Sequence, residues 1–454
     1  MSRSSRLLIA TSLLGLTAGL LAAVPGARGS EAPSDRAVVA ARAAGGIVLP
    51  HKDSFYSYHG TKPLRSIKPG TVLARRSVTL GAADLTSTPL QAEQLLYRTQ
   101  DQQRKPSVTV TTVVTPTGTL TGSPAAGAPL GIVAYLSFYD ALGDICSPSY
   151  TLRGGDAGNA GNNQQAEIEL ALVTALVGQG YAVTVPDFEG TDLHWVAGQE
   201  SGWNTLDSIR ATQRYLEVGP TTKVGLFGYS GGSIGGEWAA ELAPHYAPEL
   251  TIAGAALGGL PVHLGHNLTY VNGSDDWSGV IPAVLVSLGR AFDLDIASYQ
   301  SAYGKKVARQ VGDQCISSFN GNYPGLRVAQ LLKPRYKRFL EVPAFARIVN
   351  RLIMGSTPGH PHTKLFLGVG DVDGTGDNVM IKDDVMALGH QYCKQGVKVR
   401  MKVYPNSDHS TAGAQFFVDA MAFLDQRMLG VPFPGYCSAI KKGNSLAPLP
   451  VRHR

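Results

Sequence analysis

Lys223-Val224-Gly225-Leu226-Phe227-Gly228-Tyr229-Ser230-Gly231-Gly232-Ser233 lies near the middle of the 454-residue chain and decides its fold. A short apolar run ends in a serine flanked by glycines, and small residues at helical spacing follow. Strand, tight turn and helix is the setting in which Gly-x-Ser-x-Gly has a mechanical meaning, because the turn exposes the serine hydroxyl at its tip. Gly228 and Gly232 flank Ser230 because a Cβ at either place would crowd the turn. The N–H of Gly231, at the head of the helix, is directed at any anion formed beside the serine. The same five residues occur by chance in glycine-rich chains, and this one has 53 Gly. The surroundings therefore carry the reading.

Upstream, residues 108–114 are β-branched throughout and predict a strand. Residues 130–138 predict another, apolar on both faces as buried parallel strands are. Residues 167–179 have helical spacing and stop at Gly180. Residues 181–185 form a short buried strand leading to Pro186-Asp187, and 206–217 a helix. Downstream, 233–242 predicts a helix. Strands thus alternate with helices from about 108 to 260, which implies an α/β fold with a mostly parallel sheet covered on both faces. The alternation stops near Leu264. Residues 265–358 hold helical stretches, such as 281–288 and 342–354, with few strand candidates. The alternation resumes with a strand at 364–369, a helix at 381–395, a strand at 398–404 and a helix at 412–428. The expected organisation is an α/β core in two parts, 30–264 and 359–430, with a helical cap inserted at 265–358. Residues 30 to about 105 read as an irregular N-terminal extension. The Pro- and Gly-rich tail, 431–454, is expected to lie over the surface. No internal repeat is present.

With 44% apolar and 16% charged residues, the composition is that of a globular protein with ample core material. Arg3 and Arg6 precede a run of apolar and small residues at 7–24, and small residues recur up to Gly29. This reads as a secretory signal, residues 1–29, cleaved near Gly29, with export of the rest. A retained membrane anchor is the rival, since the run approaches spanning length, but its many Ala, Gly and Thr residues disfavour it. Loss of Arg3, Arg6 and Arg28 lowers the formal charge from +6 to +3. The excess gathers at 333–338 and in the tail, at Lys441, Lys442, Arg452 and Arg454, too thinly to argue for nucleic acid. The four cysteines, Cys146, Cys315, Cys393 and Cys437, are even in number in an exported chain, so two disulfides are expected. Of the three pairings, Cys146–Cys315 with Cys393–Cys437 is preferred, because the second bond ties the tail to the last part of the core. No CxxC or Cys/His cluster suggests a metal, and nothing calls for a cofactor.

A serine hydroxyl is a weak nucleophile at neutral pH. It needs a base within hydrogen-bond reach, a group that orients the base, and N–H donors for the oxyanion. In the chain order that accompanies a Gly-x-Ser-x-Gly elbow, an acid and then a histidine follow. His409 stands between the strand at 398–404 and the helix from 412, where the ends of parallel strands gather such residues. His390 lies inside a predicted helix, His453 in the tail, and His360 and His362 before a strand. The acid should follow the strand at 364–369, where the loop holds Asp371, Asp373 and Asp377. Asp371 is nearest the strand and Asp377 nearest the helix, where it could serve as a cap. The spaced Asp and Gly residues also suggest calcium, but the late Glu of a calcium loop is missing.

Several separated pieces resemble the secretory lipase family of the α/β-hydrolase superfamily. They are Asp53-Ser54-Phe55-Tyr56, Pro69-Gly70-Thr71-Val72-Leu73, Cys146-Ser147-Pro148-Ser149-Tyr150, Pro186-Asp187-Phe188-Glu189-Gly190, the elbow at Ser230, Tyr246-Ala247-Pro248-Glu249-Leu250 and Tyr404-Pro405. The resemblance spans roughly residues 53–430. It implies that the acid is Asp377, in Asp377-Asn378-Val379-Met380, although Met380 stands where Pro is common. It implies a second oxyanion donor at the backbone of Asp140, with Asp144 nearer to the cysteine as the competing register. It further implies a helical cap, whose apolar helices shape an acyl-chain tunnel, pack on the core, or do both. The expected function is that of a secreted lipase or carboxylesterase acting through an acyl-enzyme on Ser230. The expected partner is a lipid or ester substrate at a lipid–water interface, for a monomeric enzyme. An acyltransferase, a short-chain esterase, a peptidase and a non-catalytic binding protein of the same fold are the alternatives. The triad by itself does not separate hydrolysis from acyl transfer.

Overall fold

The alternation read from the sequence becomes a single nine-stranded sheet in the computed structural model, which describes residues 47–81, 90–116, 129–156 and 158–451. The signal at 1–29 lies outside the described residues.

The first three strands are β1 (Val72–Leu80), β2 (Leu90–Gln100) and β3 (Pro106–Val114), an antiparallel meander. A short helix α1 (Pro148–Thr151) and a long helix α2 (Ala160–Gly178) follow β4 (Ile132–Leu136). Then come β5 (Ala182–Pro186), α3 (Gly198–Tyr215), β6 (Lys223–Tyr229), α4 (Gly231–Tyr246) and β7 (Thr251–Gly258). Six helices follow: α5 (Leu264–Tyr270), α6 (Val280–Ala291), α7 (Ala302–Val311), α8 (Ile316–Phe319), α9 (Val328–Leu331) and α10 (Pro343–Asn350). The chain closes with β8 (Leu365–Asp371), α11 (Lys382–Lys394), β9 (Val399–Pro405) and α12 (His409–Met428).

The strand order is β1-β2-β3-β5-β4-β6-β7-β8-β9. From β5 to β9 every pairing is parallel, with Ala134 level with Leu226, and Leu226 level with Ala255. The order reverses at β4, whose neighbours β5 and β6 run to opposite sides. Such a switch opens a crevice at the carboxyl ends of the strands, where ligands of open α/β sheets bind.

One face of the sheet is covered by α2 and α12, through Val173, Leu176, Phe416, Phe423 and Leu424. The other is covered by α3, α4 and α11, whose Leu206, Ile209, Trp238, Val385 and Leu388 are buried. Both faces being apolar explains why β4 (Ile-Val-Ala-Tyr-Leu) and β6 read as continuous apolar runs. The helices between β7 and β8 share the second cluster: Ile281, Leu285, Leu288, Val307 and Phe345 are buried within it. Each such side chain contributes about 1.5–3 kcal/mol on leaving water, so this segment is bound to the core by apolar packing and not only by its ends. No helix among the described residues is long and apolar enough to cross a membrane.

One expectation is overturned. Residues 30 to about 105 were expected to be irregular, yet β1 and β2 lie within them and extend the sheet. The pattern hides them because polar side chains occupy buried places. Gln94 is fully buried, donating to Ser149 O (2.6 Å) and accepting from Arg76 Nε (2.9 Å). Thr99 donates to Asn204 and Asp207 of α3. Once paired, such groups cost little to bury. Helix starts also shift: α3 begins at Gly198, α2 at Ala160, and α12 at His409 itself, with Asp408 accepting from Thr411 N at 2.8 Å as its cap.

Both disulfides follow the preferred pairing: Cys146 bonds Cys315, and Cys393 bonds Cys437. The first joins the loop after β4 to the head of α8. The second ties the tail to α11, and the tail then runs on with Asn444 bonded to Asp383 O and Asp384 Oδ1.

Candidate active site

Ser230 stands between β6 and α4 with φ 53° and ψ −125°, a left-handed conformation that a serine adopts only under constraint. The constraint is local. Ser230 N donates to Gly258 O at 2.9 Å, and Ser233 N and Oγ both donate to Ser230 O, at 2.9 and 2.6 Å. A Cβ on Gly228 would lie 2.3 Å from Gly232 O, and one on Gly232 would lie 2.0 Å from Leu136 O. Glycine is therefore required at both places by close backbone approach. Ser233 centres an overlapping Gly-x-Ser-x-Gly, Gly231 to Gly235, but its hydroxyl is fully buried and committed to Ser230 O, so it cannot reach a substrate.

His409, at the head of α12, holds its Nε2 2.8 Å from Ser230 Oγ. Its Nδ1 is 2.9 Å from Asp377 Oδ2. Asp377 is fully buried, and its Oδ1 accepts from Val379 N (3.2 Å) and Met380 N (2.7 Å). Of the three aspartates of that loop, only Asp377 reaches the histidine. Asp371 pairs with Lys382 Nζ at 2.5 Å, and Asp373 accepts from Thr375 N, Gly376 N and Tyr270 OH. Burial acts to raise the Asp373 pKa, but these bonds stabilise the ionised carboxylate and together hold it below the usual value.

Asp140 follows β4 in a left-handed conformation, φ 32°. Its carboxyl lies over Gly231, where a Cβ would come within 1.8 Å of Asp140 Oδ1. Trp195 Nε1 donates to the same oxygen at 2.6 Å. Burial pushes the Asp140 pKa up to about 7, with the Trp195 bond and the nearby His409 acting against the shift. Two further buried carboxyls hold this loop. Glu169 accepts from Ser137 Oγ (2.7 Å) and Phe138 N (2.9 Å), and Glu189 accepts from Ala141 N at 3.2 Å. Asp144, the competing register, instead accepts from His51 N and faces His51 Nδ1, away from Ser230.

Three aromatic residues complete the site, and sequence reasoning missed them. The Tyr229 hydroxyl donates to His409 O at 2.6 Å. Trp277 meets the imidazole edge-on, with ring centroids 5.3 Å apart. Trp195 anchors Asp140. No sequence periodicity marks them, since each acts across a large separation in the chain; only Tyr229, inside the elbow, was adjacent to a residue singled out.

Two cavities meet at Ser230, Asp140 and Trp277. One is a cleft of about 420 Å³ open towards Phe138, Ile168, His409 and Phe417. The other is narrow, about 50 Å³, and runs between Val196, Ile234, Leu268, Val280, Val284 and Met380, under α5 and α6. A serine bonded to a histidine that is bonded to a buried carboxylate can pass a proton from the hydroxyl to the imidazole as the oxygen attacks a carbonyl. The apolar walls on one side suit a hydrocarbon chain.

The model of the secretory lipase family matches residues 158–434. A protein of Mycobacterium tuberculosis named a probable inactive lipase is 30% identical over 390 residues, covering 85% of this chain and 84% of its own. A secreted triacylglycerol lipase of Malassezia globosa is 28% identical over 400 residues, covering 85% and 82%. Among solved structures, Candida antarctica lipase A aligns with a TM-score of 0.76 at 27% identity, covering 86% of this chain and 88% of its own.

Proposed function

Because the chain belongs to the secretory lipase family and is an ester hydrolase of the α/β-hydrolase fold, we propose that it hydrolyses acylglycerols or related carboxylic esters through an acyl-enzyme on Ser230. The observation that carries this is the unbroken series Ser230 Oγ, His409 Nε2, His409 Nδ1 and Asp377 Oδ2, at 2.8 and 2.9 Å, set where an open cleft meets a narrow apolar cavity. One relative is named inactive; the full hydrogen-bonded set supports an active enzyme here.

His409 Nε2 takes the Ser230 proton as Oγ bonds to the ester carbon. Asp377 holds the ring and offsets the positive charge of the imidazolium. The backbone N–H groups of Gly231 and Asp140 receive the oxyanion. The intermediate collapses, the C–O bond to the alcohol breaks, and His409 returns the proton to the departing oxygen. Water then repeats the sequence on the acyl-enzyme, releasing the fatty acid and the free serine. The residues at 265–358 act as a cap whose α5 and α6 wall the acyl side. Residues 1–29 direct export, a reading supported by relatives that are named secreted.

The test is turnover of a series of ester substrates of increasing acyl length, by wild type and Ser230→Ala. A loss on the order of 10³-fold or more in kcat is expected in the variant. Undiminished turnover in Ser230→Ala, or none in wild type, overturns the reading.

A further inference from the structure

The helical segment between β7 and β8 carries a strong surplus of positive charge. Residues 301–340 hold eight Lys and Arg against a single acid, Asp313, a surplus of seven. The whole chain carries +6, so the rest of it sums to −1, with a second basic stretch at 36–76. A merely solvated surface mixes both signs. Here one sign dominates the helical segment next to the site.

The structure shows how the charge is displayed. α7 turns Gly304, Val307 and Val311 inward and leaves Lys305, Lys306 and Arg309 exposed, with Tyr303 exposed among them at 46%. The stretch after α9 lies alongside. Lys333 N donates to Tyr299 O at 2.9 Å, the Tyr299 and Tyr336 rings are 6.0 Å apart, and Gly304 sits against Leu331 O. This places half-exposed Lys333 in the stretch that packs beside the start of α7. Among the described residues, Lys305, Lys306, Arg309, Lys333 and Lys337 form no ion pair; Arg338 pairs with Glu341. α7 is joined through Gly312 to Cys315, which is bonded to Cys146, and then to Ile316, Ser317 and Asn320, which line the open cleft beside Ser230.

We infer that this basic face of the cap, centred on α7, seats the enzyme on an anionic lipid surface. An amphipathic helix with cations and an aromatic ring on its outer face is suited to the headgroup layer. Lysine and arginine gain there from the negative surface potential, and the gain is screened by salt. The inference rests on the ester-hydrolase reading for its purpose, because the face adjoins the wall of the substrate cleft. Its physical basis, the exposed cations of α7, is independent of catalysis.

The test therefore uses the Ser230→Ala protein, which cannot alter the surface it binds. Its sedimentation with vesicles of phosphatidylcholine is compared with vesicles that also contain phosphatidylglycerol, at low salt and in about 0.5 M salt, where the screening length falls to a few ångströms. Binding is expected to need the anionic lipid and to fall in salt. Adding Lys305→Gln, Lys306→Gln and Arg309→Gln is expected to weaken it roughly fivefold per cation, or on the order of 100-fold together. The same three substitutions in the Ser230 protein should leave turnover of a short soluble ester unchanged, which also reports correct folding. Equal binding of the parent and the triple variant, or of both vesicle types, overturns the inference. So does tighter binding to heparin, a soluble polyanion, than to the anionic vesicles. Absence of soluble-ester turnover in wild type would overturn the function proposed above and leave the vesicle result to stand alone.

Discussion

Asp377 holds His409 twice: its Oδ2 lies 2.9 Å from Nδ1, and its backbone carbonyl accepts the His409 N–H at 3.0 Å. The second bond fixes the start of α12 against the acid loop. The first fixes the ring, so that Nε2 points at Ser230.

Exchange of Asp377 for Asn keeps the shape and the backbone bond but offers an N–H where the ring needs an acceptor. The imidazole then settles in the tautomer that cannot take the Ser230 proton. A fall in kcat of about 10⁴-fold is expected. Asp371→Asn should change kcat by less than about threefold, because Asp371 binds Lys382 and its own loop. Assay of both on one soluble ester separates them, and a larger loss in Asp371→Asn would assign the acid wrongly.

How much of this was legible depended on whether a feature is local in the chain. The elbow was legible because β6 is an uninterrupted apolar run that ends in glycines, and both facts are set by neighbours within ten residues. The choice among Asp371, Asp373 and Asp377 was not legible from order alone. It is made by Val379 N and Met380 N, which turn the Asp377 carboxylate inward. Family resemblance supplied that choice in advance. β1 and β2 were missed because Gln94 and Thr99 are satisfied by α3 and by Ser149 O, partners 55 or more residues away. Trp277 and Trp195 reach the site by the same kind of distant contact.

Glu169 makes stability depend on pH. Burial raises its pKa from 4.5 to about 7, against the bonds from Ser137 and Phe138. The folded state then binds a proton that the unfolded chain has released. This contribution is fully present below pH 4.5 and is lost as pH rises to about 7, at about 1.4 kcal/mol per pH unit for one proton. Asp140 and Asp187, also raised to about 7, act in the same direction. Urea unfolding across this range should show stability falling as pH rises. In Glu169→Gln the slope should be shallower by about one proton; an unchanged slope would remove Glu169 from the account.

The two disulfides should differ in what they protect. Loop closure predicts about 4 kcal/mol for the 44-residue separation of Cys393–Cys437 and about 5 kcal/mol for the 169-residue separation of Cys146–Cys315. Both double Cys→Ser variants should melt earlier. Only loss of Cys146–Cys315 should also lower kcat/KM, by tenfold or more. Leu142 N bonds Gln314 O, Ile316 N bonds Asp140 O, and Ile316 lines both cavities, so this bridge supports the loop over Gly231. Equal activity losses in the two variants would show a global effect instead.

Asp140 should set the alkaline limit of activity. Its carboxyl lies over Gly231, beside the proposed oxyanion site, and burial pushes its pKa up to about 7. Below that value the group is neutral and does not oppose the developing charge. Above it a buried carboxylate stands next to a nascent anion, and like charges in a low-dielectric site repel strongly. The rate should fall as pH rises through about 7. Asp140→Asn keeps an oxygen for Trp195 and keeps the backbone N–H, but it cannot ionise. Its kcat near pH 6 should lie within about threefold of wild type. Its alkaline limb should be absent, so that at pH 8.5 it exceeds wild type by roughly tenfold. The measurement is kcat against pH for both proteins on one soluble ester. A limb that persists unchanged in Asp140→Asn assigns the alkaline fall to another group and leaves Asp140 with its backbone alone.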